Sequence, residues 1–177
     1  MVAYVADGGA GVRIINLNDV KAPFVGATVP TSNARAVFAK SHYDAGSSTA
    51  PSLEREYLYV ADDEGGLRIV DVSDPWMPQS VTTVDGGAAV SDLLVANAFE
   101  PPLNKAYLYA ALGPGGCAIL DVSQVRAPQV IATLPVPVIH GLDIERVRLD
   151  RMVDEDGQQV KDTSHEGARP FRRDGTS

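Results

Sequence analysis

Cysteine, aromatic residues and long apolar runs are all scarce in this chain of 177 residues. Its single cysteine, Cys117, excludes an internal disulfide, a paired-cysteine metal clamp and a covalently attached haem. No run approaches the roughly 20 apolar residues of a membrane helix, and no segment has the pattern of a signal peptide. We therefore expect neither a disulfide-stabilised scaffold nor a transmembrane segment.

Basic residues are scarce as well, and this limits the possible partners. The chain has 15 Lys and Arg against 23 Asp and Glu, and residues 1–144 hold 8 basic and 15 acidic side chains. A protein that binds nucleic acid needs a basic face to displace counterions from phosphates. The sequence therefore predicts no nucleic-acid partner.

What the sequence does contain is one unit of 27 residues in three copies, at residues 3–29, 58–84 and 108–134. The copies align without gaps, so that Tyr4, Tyr59 and Tyr109 correspond at offsets of 55 and 50 residues. A repeat of about this period indicates a solenoid, a propeller or another array.

Each unit contains the elements of a small antiparallel sheet. An apolar run such as "YLYVA" predicts a strand, a Gly/Asp cluster such as "DDEGG" predicts a tight turn, and "LRIVDV" predicts the return strand. A Pro-containing turn leads to a third strand, "QSVTTV". A fourth apolar run lies between units, at residues 34–39, 89–96 and 138–145. Four antiparallel strands per unit are typical of a propeller blade.

The return strand is apolar on both of its faces. Leu67, Ile69, Val70 and Val72 leave few positions for outward polar side chains, whereas a sheet with one wet face would alternate strictly. A blade that lies between two neighbouring blades is buried on both faces. We therefore predict an all-β fold, a partial β-propeller of about three four-stranded antiparallel blades plus part of a fourth.

The return strands also resemble a known family. "LRIVDVSDP" at residues 67–75 is a close match to the LVIVD repeat, and "AILDVS" and "RIINLND" are looser matches. The resemblance to the bacterial and archaeal LVIVD-repeat proteins covers roughly residues 3–145. It implies an extracellular, cell-surface or periplasmic β-propeller, and it implies no defined reaction, no cofactor and no catalytic residues.

The chain departs from the compact repeat of that family in two polar or Pro-rich insertions, at residues 41–56 and 97–105. We expect both to be surface loops. The chain enters a unit at its second strand and reaches a first strand again near residues 138–145, whereas propellers have about four to eight blades. We therefore expect either a fragment of a longer protein or a homo-oligomer that closes the ring through a second chain.

A change of composition predicts a boundary near residue 145. Residues 1–145 should form the blades, and residues 146–177 a polar hairpin and tail, with Asp156-Gly157 at the hairpin turn. The tail is expected to be partly disordered, and a docking segment for a partner is the alternative.

The first candidate site consists of Arg35, Asp92 and His140. These residues fall on the predicted innermost strands, which line the channel of a propeller, so a ligand could bind among them. The alternative is a channel filled with water and mutually paired charges.

The second candidate site consists of Asp62, Asp63 and Glu64, three carboxylates in one turn, which are weak candidates for a metal site. The spacing of a calcium-binding loop is absent, and the alternative is a solvated turn. Cys117 stands where the other units have Val12 and Leu67, so we expect it to pack as a small core residue.

The leading functional hypothesis is a non-enzymatic repeat scaffold, or a module of a larger surface protein, whose loops bind a protein or a surface polymer. Its basis is the regular repeat, together with the lack of a catalytic motif such as GxSxG in the sequence. The alternative is a propeller that binds a small ligand, or acts on one, at the central channel.

Overall fold

The computed structural model describes residues 1–44, 53–63, 65–84, 88–97, 105–136, 141–142, 152–153 and 159–160. All regular structure in these ranges consists of β-strands. The chain divides into two compact units, Met1–Asp143 and Ile144–Ser177. The first unit contains three antiparallel sheets of three or four strands, which confirms the predicted all-β, partial-propeller fold.

We call these sheets blades 1, 2 and 3, in chain order. Blade 1 contains β1 (Val2–Ala6), β2 (Val12–Asn16) and β3 (Phe24–Val29). Blade 2 contains β4 (Ala34–Asp44), β5 (Leu53–Asp62), β6 (Gly66–Asp71) and β7 (Gln79–Val84). Blade 3 contains β8 (Asp92–Asn97), β9 (Ala106–Ala111), β10 (Cys117–Asp121) and β11 (Gln129–Leu134). Consecutive strands pair within each blade, and β4 and β8 are the apolar runs between units.

The tight turn before each return strand has the same glycine requirement in every blade. Gly11, Gly66 and Gly116 have φ angles of 85°, 70° and 83°, in the left-handed region that residues with a side chain avoid. A Cβ atom on Gly11 would collide with the carbonyl oxygen of Val29, and one on Gly116 with that of Leu134. These turns therefore place the outer strand directly against the turn backbone.

The outermost strand of each blade carries a β-bulge at the same repeat position, with Gly26 in β3, Val81 in β7 and Ile131 in β11 as the extra residue. The surroundings of the bulge differ along the array. The indole ring of Trp76, from the turn after β6, lies so close to Gly26 that a side chain there would collide with it. Val81 packs against a core cluster, whereas Ile131 is 54% exposed.

Two clusters of buried apolar residues lie on opposite faces of blade 2. Ile69 of β6 belongs to the cluster that includes Leu108 of blade 3. Its neighbour Val70 points to the other face, as alternation along a strand requires, and belongs to the cluster that includes Ile14 of blade 1. Blade 2 is therefore packed between its two neighbours, as the apolar return strand indicated.

The prediction of a loop at the first insertion is wrong at both of its ends. Ser41 to Asp44 belong to β4 and pair with Leu53 to Glu56 of β5. The polar composition indicated a loop, but these arms alternate, so that His42 is buried while Ser41 is exposed. Residues 45–52 and, in the second insertion, residues 98–104 lie outside the described ranges.

The second unit contains two short strands, β12 (Met152–Val153) and β13 (Gln159–Val160), which pair antiparallel. This pairing agrees with the predicted hairpin, whose turn at Asp156-Gly157 lies outside the described residues, as does the tail. Of the strand predicted at residues 138–145, only Gly141 and Leu142 are described, and neither is in a strand.

Candidate functional site

The predicted channel residues Arg35 and Asp92 lie on β4 and β8, two strands that lie against each other. The guanidinium of Arg35 binds Oδ2 of Asp63, with Nη2 at 2.5 Å and Nε at 3.1 Å, and it remains 51% exposed. Asp92 accepts hydrogen bonds from the backbone N–H of Leu93 and of Leu142, both at 2.9 Å. His140 lies outside the described residues. A ligand site formed by all three residues therefore stays a prediction.

Asp62, in the second candidate site, is a buried anchor. Its side chain is fully buried, and it accepts hydrogen bonds from the backbone N–H of Ser32 (3.0 Å) and Asn33 (2.7 Å) and from Nε of Arg68 (2.8 Å). Burial raises the pKa of Asp62, but these hydrogen bonds and the positive charge of Arg68 outweigh it and hold that pKa below its usual value. Asp62 is therefore ionised in the folded protein at neutral pH.

Asp63 extends the same arrangement. Its Oδ2 accepts from Arg35 and from Nδ2 of Asn33 (3.1 Å), and its backbone N–H donates to the carbonyl of Asn33 (3.1 Å). We call Asp62, Asp63 and Arg68 the linker clamp, because they bind the segment that connects blade 1 to blade 2.

The hydrogen bonds of the linker clamp give a structural role to Asp62 and Asp63, which were weak candidates for a metal site. N–H donors surround the oxygens of Asp62, and a cation would have to displace them. Among the described residues, no group of three or more His, Cys, Asp or Glu is arranged to hold a metal ion. Glu64 lies outside the described residues.

The clamp position differs in each blade. Asp7 and Arg13 of blade 1 correspond to Asp62 and Arg68 and form the same ion pair, with Oδ2 and Nε 2.6 Å apart. Their side chains are 49% and 40% exposed. Blade 3 has two buried apolar residues at these positions, Leu112 and Ala118.

A second carboxylate recurs at the end of the return strand. Asp71 accepts a hydrogen bond from the backbone N–H of Ser73 (2.9 Å) and from Nη1 of Arg55 (2.9 Å). Burial raises the pKa of Asp71, but these bonds outweigh it and lower that pKa below its usual value. The equivalent residues in blade 3 are Asp121, Ser123 and Lys105. These carboxylates therefore stabilise the turns that follow the return strands.

A buried histidine–tyrosine pair at the edge of the core was not predicted from the sequence. His42 is 8% exposed, and its Nε2 lies 2.6 Å from the hydroxyl oxygen of Tyr59. Its ring meets that of Tyr57 edge-on, with the centroids 5.9 Å apart. Burial, together with the charge of Lys40, lowers the pKa of His42 to about 4, and burial raises the pKa of Tyr59. The two-residue spacing of a strand places His42 on the same face as Phe38, but this relation is visible only when the first insertion is interpreted as a strand.

Apolar side chains are exposed in the Pro-containing turns that follow the return strands. Val20 is 68% exposed in the turn between β2 and β3, and Met77 is 66% exposed in the turn between β6 and β7. Trp76, the one tryptophan of the chain, is 39% exposed beside Met77. We call Val20, Trp76 and Met77 the turn surface. Equivalent turns emerge at the same end of each blade, so these residues belong to one end of the array.

Residues 45–86 match the family model of the LVIVD repeat, which agrees with the resemblance seen in the sequence and indicates a β-propeller-type repeat module. The matched segment contains β5, β6 and β7. No curated protein and no solved structure gave a significant match to the chain. In the part of the chain that the structure describes, no helix has the length and apolar character to cross a membrane.

Proposed function

We propose that this chain is a non-enzymatic β-propeller repeat module that binds a protein or a surface polymer through its turns, at the cell surface, in the periplasm or outside the cell. The single observation that carries this proposal is the turn surface, where Val20, Trp76 and Met77 are exposed at one end of the blades. Apolar side chains exposed on the turns of neighbouring blades offer a surface on which a partner could bury them, and Trp and Met are enriched in protein interfaces.

The hydrogen bonds that the described carboxylates accept support the proposal of a scaffold. Asp62, Asp63, Asp71 and Asp121 each accept hydrogen bonds that hold a linker or a turn. The repeat therefore uses these charged residues to fix blade geometry. The exposed residues of the turns differ in identity from blade to blade. The proposed location rests on the match to the LVIVD repeat. The sequence resembles that family, and the resemblance implies such a location.

Site-specific photocrosslinking on intact cells of the source organism tests this proposal. A benzophenone amino acid at Met77, on the turn surface, should give discrete adducts, because a partner that binds there lies within reach. The matched control carries the same group at Ala10, which is exposed in the tight turn between β1 and β2, at the opposite end of blade 1. Val20→Ser should reduce the Met77 adducts. Equal labelling from both positions, or no adduct from either, would contradict the proposal.

Small-ligand binding at Arg35, Asp92 and His140 is the second candidate function. The observation in its favour is the half-exposed guanidinium of Arg35, held by Asp63 on a strand that lies against the strand of Asp92. An anion should bind such a group, so nuclear magnetic resonance titration with succinate should shift signals near residue 35. Arg35→Gln should abolish the shifts. Shifts that persist unchanged in this variant would count against the site.

A further inference from the structure

Contacts between blades follow one plan inside this chain. The linker clamp lies on the face of blade 2 that meets blade 1, because Arg68 alternates with Ile69 and so shares the face of Val70. The opposite face of blade 2 packs its aromatic and bulge residues, Tyr59 and Val81, against blade 3. Each blade thus has an incoming face with a clamp position and an outgoing face with a bulge residue.

Blade 1 presents an incoming face that no described residue covers in the way blade 1 covers blade 2. Val5 is 41% exposed, whereas Val60, its equivalent in blade 2, is fully buried. The ion pair of Asp7 and Arg13 lies on this face, and the Asp7 side chain is 49% exposed, whereas Asp62 is fully buried. Blade 1 therefore has equivalents of the residues by which blade 2 contacts blade 1, and these equivalents are exposed to solvent.

Blade 3 presents the complementary outgoing face. Ile131 and Leu134 are 54% and 49% exposed, whereas their equivalents Val81 and Val84 pack against the core. Tyr109 is half-buried, whereas its equivalent Tyr59 is fully buried. One face of each terminal blade therefore carries apolar residues at the positions that form the two interfaces already present in the chain.

We propose that the outgoing face of blade 3 binds the incoming face of blade 1 of a second copy of this chain. Two copies joined head to tail at both ends would form a ring of six blades, within the range of about four to eight that propellers show. The occupant is a second copy because both halves of the interface occur on one chain, and because the contacts continue the plan of the two internal interfaces. Exposed apolar sheet faces of this kind favour association.

The ion pair of Asp7 and Arg13 is the polar part of this interface. By repeat position, Pro137 and Val138 of the second copy correspond to Ser32 and Asn33. Proline has no backbone N–H, so Pro137 cannot donate the equivalent of the hydrogen bond that Ser32 donates to Asp62. We therefore expect the apolar positions to contribute more to association than Asp7 does.

Sedimentation velocity at low micromolar concentration tests the proposal with the full chain. The unmodified protein should sediment at twice the chain mass of 18.7 kDa. Val5→Glu and Ile131→Glu should each give monomers, because each places a charge at an apolar position of the interface. Both residues are exposed within one copy, so circular dichroism should show unchanged folding, and Leu134→Glu is the second variant if Ile131→Glu unfolds. Val20→Glu, on the turn surface, is the matched control and should remain dimeric.

A mixture of the two variants distinguishes head-to-tail contact from other modes. The Val5→Glu chain keeps an intact blade 3 face, and the Ile131→Glu chain keeps an intact blade 1 face. Mixing them should restore a dimer that is held by one interface. A contact between like faces would instead leave one of the two variants dimeric on its own, because each substitution alters only one face. An unmodified chain that sediments as a single 18.7 kDa species would overturn the proposal, as would a dimer that neither substitution disrupts.

Discussion

At the scale of residues, one position of the repeat shows that the exposure of a side chain depends on its neighbours in the array. Asp7, Asp62 and Leu112 are equivalent in sequence, yet the first is half-exposed and the other two are buried. The sequence identified the carboxylates of "DDEGG" but not their role, because the donors of Ser32 and Asn33 lie 30 and 29 residues away. Tertiary packing, which local pattern does not encode, brings them together.

Asp62→Ala should therefore destabilise the fold far more than Asp7→Ala. Loss of Asp62 leaves the N–H groups of the linker and the charge of Arg68 without their acceptor, and removal of one partner from a buried ion pair costs about 3 kcal/mol or more. The exposed pair of Asp7 should contribute about 1 kcal/mol or less. Guanidinium unfolding of both variants, in a background that carries Ile131→Glu to exclude association, checks this difference. Equal losses of unfolding free energy would contradict it.

The pair of His42 and Tyr59 predicts a pH dependence of stability. Because the pKa of His42 is lowered from 6.5 to about 4 on folding, the unfolded chain binds a proton between these values and the folded chain does not. The stability contribution is complete above pH 6.5 and declines as the pH falls toward 4. The loss should be about 2 kcal/mol, allowing for partial solvent screening.

Comparison of the unmodified chain with His42→Phe isolates this effect from the titration of carboxylates. The free energy of unfolding of the unmodified chain should fall relative to the variant between pH 6.5 and 4. Tyr59→Phe removes the hydroxyl but keeps the histidine, and serves as the matched control. A difference between the unmodified chain and His42→Phe that is constant over this range would show that His42 titrates normally.

At the scale of elements, strand order and turn chemistry were predictable from the sequence because each depends on local pattern. Alternation and apolar runs located the strands, and glycine clusters located the tight turns. The paired arms at Ser41–Asp44 and Leu53–Glu56 were missed, since polar side chains conceal a strand whose pairing partner is distant. The bulges at Gly26, Val81 and Ile131 were also missed, because an extra residue is visible only against the register of the neighbouring strand.

Gly11→Ala should be more harmful than Gly9→Ala in the same turn. Gly11 has a φ of 85° and its Cβ would collide with the carbonyl oxygen of Val29, whereas the nearest atom to a Cβ at Gly9 is 3.7 Å away, an ordinary contact. The left-handed conformation alone costs a side chain about 1–2 kcal/mol, and the collision adds to this. Thermal unfolding of the two variants measures the difference. If Gly9→Ala proved as costly as Gly11→Ala, the assigned turn geometry would be wrong.

At the scale of the whole molecule, the stacking of blades was predictable from apolar residues on both faces of the return strand. The sequence did not show which copy of a repeated residue is buried, because the same residue can stand at equivalent positions whose place in the array differs. Ile69 is fully buried between blades 2 and 3, whereas its equivalent in blade 3, Ile119, is half-buried.

Ile69→Asp should therefore unfold the first unit, while Ile119→Asp should leave a folded chain of lower stability. The first substitution places an unpaired charge between two blades, and the second places it on a face that retains access to water. Circular dichroism and thermal unfolding distinguish the two outcomes, and the identical chemistry of the substitutions makes each the control of the other. If both variants retained the fold equally well, blade 2 would not be enclosed as described.

The replacement of the linker clamp by Leu112 and Ala118 in blade 3 has a thermal consequence. Both joints bury apolar residues, but at the clamp position the joint between blades 1 and 2 has charged hydrogen bonds, whereas the joint between blades 2 and 3 has buried apolar side chains. Apolar stabilisation weakens on cooling because its heat capacity of exposure is large and positive, while the Asp62 joint weakens when acid protonates the carboxylate. Cold should therefore weaken both joints, whereas acid should weaken the Asp62 joint in particular.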